Sequence, residues 1–260
     1  MKLNGKCIIV VPTHKYEPDE LEQLSLKQLD KIINNEIDIC FVCPEKFNTE
    51  AYKKLFEKSE FTTKVFDDKF FTSFKGYNHL CLDYDFYKSF EDYEYMLIYQ
   101  TDCWIFRNEI EKFCDMGYDY IGGPIYSAGS NWPSFKIGTR PIVGNGGLSL
   151  RKISKMMKIL DPKGYVYKKH KKEWEDIEYE DMFLCDVLFH DILVNVPDYR
   201  VAEQFSIDSL PRHIAQLNPM SVHRVFAFYQ WWKTKIPELN DEHIMELCNE
   251  SYENFKKMYT

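Results

Sequence analysis

Along this chain short apolar runs alternate with longer stretches in which apolar residues recur every three or four positions. Lys6-Cys-Ile-Ile-Val-Val-Pro12 is a largely β-branched run stopped by a proline, which predicts a buried parallel strand. Glu20 to Asn34 carries Leu21, Leu24, Leu26, Leu29, Ile32 and Ile33 at helical spacing, and Ile37 to Val42 predicts a second strand. Such a βαβ opening makes a parallel sheet with its crossover helix on one face.

The same reading predicts a helix over residues 48–59, a strand from Thr62 to Phe66, a helix from Tyr77 to Phe90 and a strand from Tyr95 to Tyr99. Tyr118 to Ile121 predicts a strand closed by Gly122-Gly123-Pro124, and Tyr126 to Pro141, rich in Ser, Gly, Asn and Pro, a long loop. A glycine turn and strand follow from Val143 to Leu150, a basic helix from Lys152 to Leu160, and a helix with an acidic start from Tyr179 to Phe189. Asp241 to Met258 predicts an amphipathic helix. With no internal repeat or evident linker, the expected architecture is one α/β block, residues 1–232, followed by a helical extension, residues 233–260.

Composition narrows the picture. A net charge of −8 excludes a general nucleic-acid binder, which needs clustered positive charge. No apolar run reaches the roughly 18–20 residues of a membrane span, and the first apolar segment, stopped by Pro12, predicts a strand and not a signal peptide. The eight cysteines sit mostly inside apolar elements, which predicts reduced thiols and a cytoplasmic setting. Cys40 and Cys43 have CxxC spacing, but on a strand they point to opposite faces and read as core.

Four constellations carry candidate chemistry. Tyr95 to Tyr99 leads through Gln100 and Thr101 to Asp102, a carboxylate outside the carboxyl end of a strand, where ligands of open α/β sheets bind. Asp102 either caps the next turn or holds a divalent ion that neutralises a departing diphosphate. Val143-Gly-Asn-Gly-Gly-Leu-Ser-Leu-Arg151 is either an ordinary tight turn or a sugar-site wall, its glycines permitting positive φ and close approach to the backbone. Glu175-Asp-Ile-Glu-Tyr-Glu-Asp181 either favours a helix dipole or supplies a general base. His223, after Phe205-Ser-Ile-Asp208 and a turn-like Asn218-Pro219, is either structural or completes a metal shell, with Arg224 as a second positive group. The basic run Lys152 to Lys172 reads as a solvated face or as contact with an anionic acceptor or a membrane's inner leaflet.

Taken in order, Gly76-Tyr-Asn-His-Leu80, Tyr93 to Asp102, Gly117 to Pro124, Gly144 to Arg151, Glu180-Asp181 and His223 resemble a family of bacterial glycosyltransferase-like proteins of the GT-A fold, many from surface-polysaccharide contexts. The resemblance spans roughly residues 5–230. It implies a Rossmann-like, mostly parallel sheet flanked by helices. It also implies transfer from a nucleotide sugar, with a UDP-sugar the first guess, to a saccharide or lipid-linked acceptor in polysaccharide biosynthesis. By it, Asp102 stands for the last Asp of a DxD-like motif whose first position is Gln100, and Asp102 and His223 would hold Mn²⁺ or Mg²⁺. Pro12, Thr13 and Tyr16 would hold the nucleobase and ribose. Asn78, Gln100, Thr101, Gly146 and Gly147 complete the implied donor site. Asp181 would be the base of an inverting displacement, Glu180 would orient the acceptor, and the loop holding Trp132 would shape the acceptor site. The missing first Asp leaves open a catalytically silent sugar- or partner-binding module. A sugar nucleotidyl- or phosphotransferase would want a basic, glycine-rich loop after the first strand, and Val11-Pro-Thr-His-Lys15 offers little of it.

Overall fold

The computed structural model describes residues 5–125, 142–170, 172, 179–187, 194–208 and 218–258. The expected loop from Tyr126 to Pro141 with Trp132, the acidic residues before Tyr179, and Leu188-Phe189 lie outside them.

Six strands form the central sheet: β1 (Cys7–Pro12), β2 (Asp38–Cys43), β3 (Phe61–Val65), β4 (Tyr95–Tyr99), β6 (Tyr120–Gly122) and β9 (Leu148–Lys152), in the order β3-β2-β1-β4-β9-β6. β3, β2, β1 and β4 run parallel, whereas β9 is antiparallel to both β4 and β6. The two-residue alternation of a strand divides the buried side chains between two cores. Ile8, Val10, Cys40, Val42, Met96 and Ile98 face one; Ile9, Val11, Ile39, Phe41, Leu97 and Tyr99 face the other. Helix α1 (Glu20–Ile33) covers the second face through Leu26, Leu29 and Ile33, and α3 (Ile153–Leu160) the first through Ile153, Met156 and Ile159. The expected mixed α/β sheet, mostly parallel and flanked by helices, is therefore present.

Local chemistry sets the element ends. Asp19 caps α1 by accepting from Glu22 N at 3.0 Å while Glu22 accepts from Asp19 N, a reciprocal box that fixes Glu22 beside the end of β1. The helix expected from Tyr77 to Phe90 is two helices: α2 (Phe74–Cys81), and a short one over Tyr84–Lys88 capped by Asp83. An N-cap Asp needs extended backbone, so it breaks the run. The helix expected over 48–59 shrinks to Thr49–Lys53.

Among the described residues there are two further small sheets: β7 (Pro124–Ile125) with β8 (Ile142–Val143), and a three-stranded sheet of β5 (Trp104–Ile105), β10 (Ser206–Ile207) and β11 (Ser221–Val222). The C-terminal helix α4 (Glu242–Met258) packs on the main block. Cys248 shares a buried cluster with Trp104, Val222 and Trp232, and Leu21 and Leu24 of α1 lie against it. No described helix is long and apolar enough to cross a membrane. All eight cysteines, Cys40 and Cys43 included, are buried and outside any disulfide, as core residues should be.

Candidate active site

The small three-stranded sheet assembles the site. β10 and β11 are parallel, so the residues that follow them, Asp208 and His223, emerge at one end. β5 is antiparallel to β11, so the residues that precede it, Asp102 and Cys103, arrive at that same end. The chain reaches β5 directly from the carboxyl end of β4, and backbone bonds from His223 N to Ile207 O (3.0 Å) and from Val225 N to Asp102 O (3.0 Å) lock the junction.

His223 sits at the centre, buried, with oxygen on both sides. Its Nδ1 lies 3.1 Å from Asp208 Oδ1, and its Nε2 lies 3.1 Å from Gln100 Oε1 and 3.3 Å from Asp102 Oδ1. Burial alone would lower the imidazole pKa, but Asp102 and Asp208 outweigh it and raise the value to about 9. Burial would likewise raise the Asp102 pKa, and His223 with Arg224 reverses this to a net lowering. Asp102 is 44% exposed on its side chain, yet its Oδ1 is buried, with no hydrogen bond beyond the 3.3 Å contact to His223 Nε2.

Among the described residues the ligand atoms of Asp102, Cys103 and His223 lie within 4.8 Å of one another. Cys103 is the poor member: burial, then Asp102, pushes its thiol well above the usual range, and its Sγ–H points to Gly147 O at 3.5 Å. A set of Asp102 Oδ1, His223 Nε2 and Gln100 Oε1 is the better one. Carboxylate and amide oxygens with one imidazole suit Mn²⁺, and Mg²⁺ less well because it prefers oxygen alone. The buried Asp102 oxygen, engaged only by that long contact to His223, makes the residues present a fit for such an ion.

Asp102, Thr101 and Gln100 also form part of the lining of a 470 Å³ cleft. Pro12, Thr13, His14 and Lys15 from the end of β1 line it too, with Glu22 of α1. Phe70, Phe71, Phe74 and Tyr77 give it an aromatic side. Of the residues expected to hold a nucleotide, Pro12 and Thr13 reach this cleft, while Tyr16 is 61% exposed and outside its lining. Thr13 Oγ1 is also bonded to Tyr52 OH at 3.0 Å, and Thr101 Oγ1 donates to Glu22 Oε1 at 2.7 Å. Sequence reasoning missed the 70–74 segment, whose Phe-Phe-Thr-Ser-Phe string has neither helical nor strand period, and it missed Lys15, which is held by Asp19 and Glu22.

The glycine turn joins this cluster to the Glu180-Asp181 pair. Gln100 N donates to Gly147 O at 2.9 Å, and a Cβ on Gly147 would collide with both His223 and Gln100. The left-handed residue is Asn145, with φ 69°; Gly144, Gly146 and Gly147 are not at positive φ. Close approach of protein atoms, and not backbone hand, thus requires these glycines. A Cβ on Gly146 would stand 2.0 Å from Glu180 Oε1. The Asn145 carboxamide is buried with neither end hydrogen-bonded.

Asp181 is partly exposed, and its Oδ2 accepts from Asn145 N (2.9 Å) and Gly146 N (3.1 Å) while Oδ1 accepts from Met182 N (2.8 Å). Glu180 is buried and paired at 2.7 Å with Arg151, whose guanidinium also donates to Ser149 Oγ, Tyr87 OH and Gly146 O. Asn78, expected in the donor site, is fully buried instead: it accepts from Glu180 N at 2.9 Å and donates to Phe74 O at 2.8 Å. In both residues the side chain is engaged by buried protein groups.

Residues 60–223 match a family described as "Protein of unknown function (DUF5672)". The chain belongs to that family. No curated protein matches the sequence of this DUF5672 member. Among solved structures it is similar to mouse xyloside xylosyltransferase 1 in its apo form, with a TM-score of 0.54 and 12% identity over 84% of this chain and 97% of that one. It is also similar to core-mannan synthase A from Aspergillus fumigatus in a Mn/GDP form, with a TM-score of 0.49 and 11% identity over 76% of this chain and 73% of that one. The first likeness shows a GT-A-type fold for the DUF5672 chain.

Proposed function

We propose that this protein is a glycosyltransferase that binds a nucleoside-diphosphate sugar in the cleft and a divalent cation, Mn²⁺ for preference, at Asp102, Gln100 and His223. The observation that carries the reading is the meeting of Asp102, through its buried oxygen, and His223 at the edge of a cleft beyond the carboxyl ends of β1 and β4. When bound, such a cation neutralises charge that collects on the departing diphosphate. Around it, Pro12 and Thr13 border the nucleoside, the rings of Phe70, Phe71, Phe74 and Tyr77 offer faces to a nucleobase, and Lys15 adds positive charge.

Asp181 is the proposed base of an inverting displacement. A carboxylate has about four lone-pair sites, and the amides of Asn145, Gly146 and Met182 leave one on Oδ1 to accept a proton from an acceptor hydroxyl. The resemblance supports UDP as the first nucleotide to try, a saccharide or lipid-linked acceptor, a role in bacterial surface-polysaccharide synthesis, and a cytoplasmic site of action at or near the inner face of the membrane.

One observation favours a second reading, a sugar-binding module without turnover: Gln100 stands where a second carboxylate would strengthen the cation site, and its oxygen is engaged with His223. Calorimetric titration of UDP, GDP, CDP and dTDP, with and without Mn²⁺, against the protein and Asp102→Ala separates the possibilities. Metal-dependent binding of one nucleotide, lost in the variant, supports the transferase and selects its donor. Failure of all four to bind rules out the nucleotide-sugar reading, and binding without turnover over an acceptor screen favours the module.

A further inference from the structure

We infer that Asp208 is a positioning residue for the cation site: it holds the proton of His223 on Nδ1 and thereby aims the Nε2 lone pair at the cation beside Asp102. This rests on the metal-assisted reading above and adds a residue that touches neither nucleotide nor ion.

Four observations support it. Asp208 is buried, and its Oδ1 lies 3.1 Å from His223 Nδ1. Both ring nitrogens face acceptor oxygens, Nδ1 that of Asp208 and Nε2 those of Asp102 and Gln100. A cation held by Asp102 and Gln100 takes the place of the Nε2 hydrogen, whereas the buried Asp208 keeps the one on Nδ1, so Nε2 is the nitrogen that can become a ligand. The backbone fixes the pair independently of the side chains, because parallel β10 and β11 end together and His223 N donates to Ile207 O, next to Asp208. A carboxylate on the far nitrogen of a metal-bound histidine sets the tautomer, restrains the ring and strengthens the ligand; losing it typically costs about 10–100-fold in metal affinity.

The alternative for Asp208 is a purely structural partner of Arg224, whose Nε lies 3.9 Å from the same Oδ1. That longer contact gives the ring no orientation, whereas the bond to Nδ1 does.

The test is a titration with Mn²⁺ alone, read by water-proton relaxation, on the wild type, Asp208→Asn and Asp102→Ala, with ¹⁵N-histidine spectra of the first two. The wild type should bind Mn²⁺, Asp102→Ala should lose it, and Asp208→Asn should weaken it about tenfold or more while remaining folded. Asn keeps an acceptor oxygen for Nδ1–H and removes the charge, so the spectrum should still show His223 protonated on Nδ1 with an altered shift. Wild-type Mn²⁺ affinity in Asp208→Asn, or a His223 ring carrying its proton on Nε2 alone in the wild type, overturns the assignment of Asp208. No Mn²⁺ on the wild type removes the metal reading itself, and the Asp208 role with it.

Discussion

Gly147 packs directly against His223: a Cβ built on the glycine would stand 2.3 Å from the ring Nε2 and 2.4 Å from Gln100 Oε1. Neither neighbour can retreat freely, since Asp208 holds the far side of the ring and Gly147 O itself receives Gln100 N. Gly147→Ala should therefore cost about 1–3 kcal/mol of stability as an overpacked site and should weaken Mn²⁺-dependent nucleotide binding. Urea denaturation and calorimetry check the two effects, and wild-type values in both would show that the cluster is softer than its contacts imply.

The Arg151–Glu180 pair makes a different demand, because both side chains are almost wholly enclosed, at 0% and 4% exposure. Removing one charge strands the other, so Glu180→Ala should destabilise by about 3–5 kcal/mol. The doubly apolar Arg151→Met/Glu180→Met protein should lose less than the sum of the single changes. If Glu180→Ala proved as stable as the wild type yet lost transfer, Glu180 would return to the catalytic list.

The sheet strands were legible because β1, β2 and β4 are continuous apolar runs, and α1 because its leucines keep helical spacing. Period tells element type and not partner, so the antiparallel insertion of β9 between β4 and β6 was hidden. Asp102 and His223 could be singled out as a strand-end carboxylate and a late histidine. Asp208 was visible only as the end of the Phe205 to Asp208 segment and had no role assigned, since its place beside His223 depends on β10 pairing with β11 across the intervening chain. The surroundings of Asn78 and Glu180 were hidden in the same way: Asn78 Oδ1 accepts from the Glu180 backbone, and the Glu180 carboxylate pairs with Arg151, contacts that no local pattern announces.

All eight thiols are buried, and burial pushes Cys43 up to about 11 and Cys81 and Cys248 up to about 12. Thiolate is the reactive form, so a disulfide reagent at pH 8 should modify the native protein slowly and all eight cysteines once it is denatured. A thiol that reacts within seconds in the native protein would place that cysteine outside the core.

Asp181 offers the sharpest separation of scaffold from chemistry. Its three accepted amide bonds fix the turn at Asn145 and Gly146, so Asp181→Asn must set its new NH₂ group against at least one of those donors. A buried donor left unpaired costs about 1–3 kcal/mol, and a loss of that size in urea denaturation is expected. Beyond it, loss of a general base slows transfer by about 10²–10⁴-fold, whereas nucleotide affinity should stay within a few-fold of the wild type. Equal losses in nucleotide affinity and transfer would make Asp181 a support for the glycine turn and send the search for the base elsewhere in the cleft.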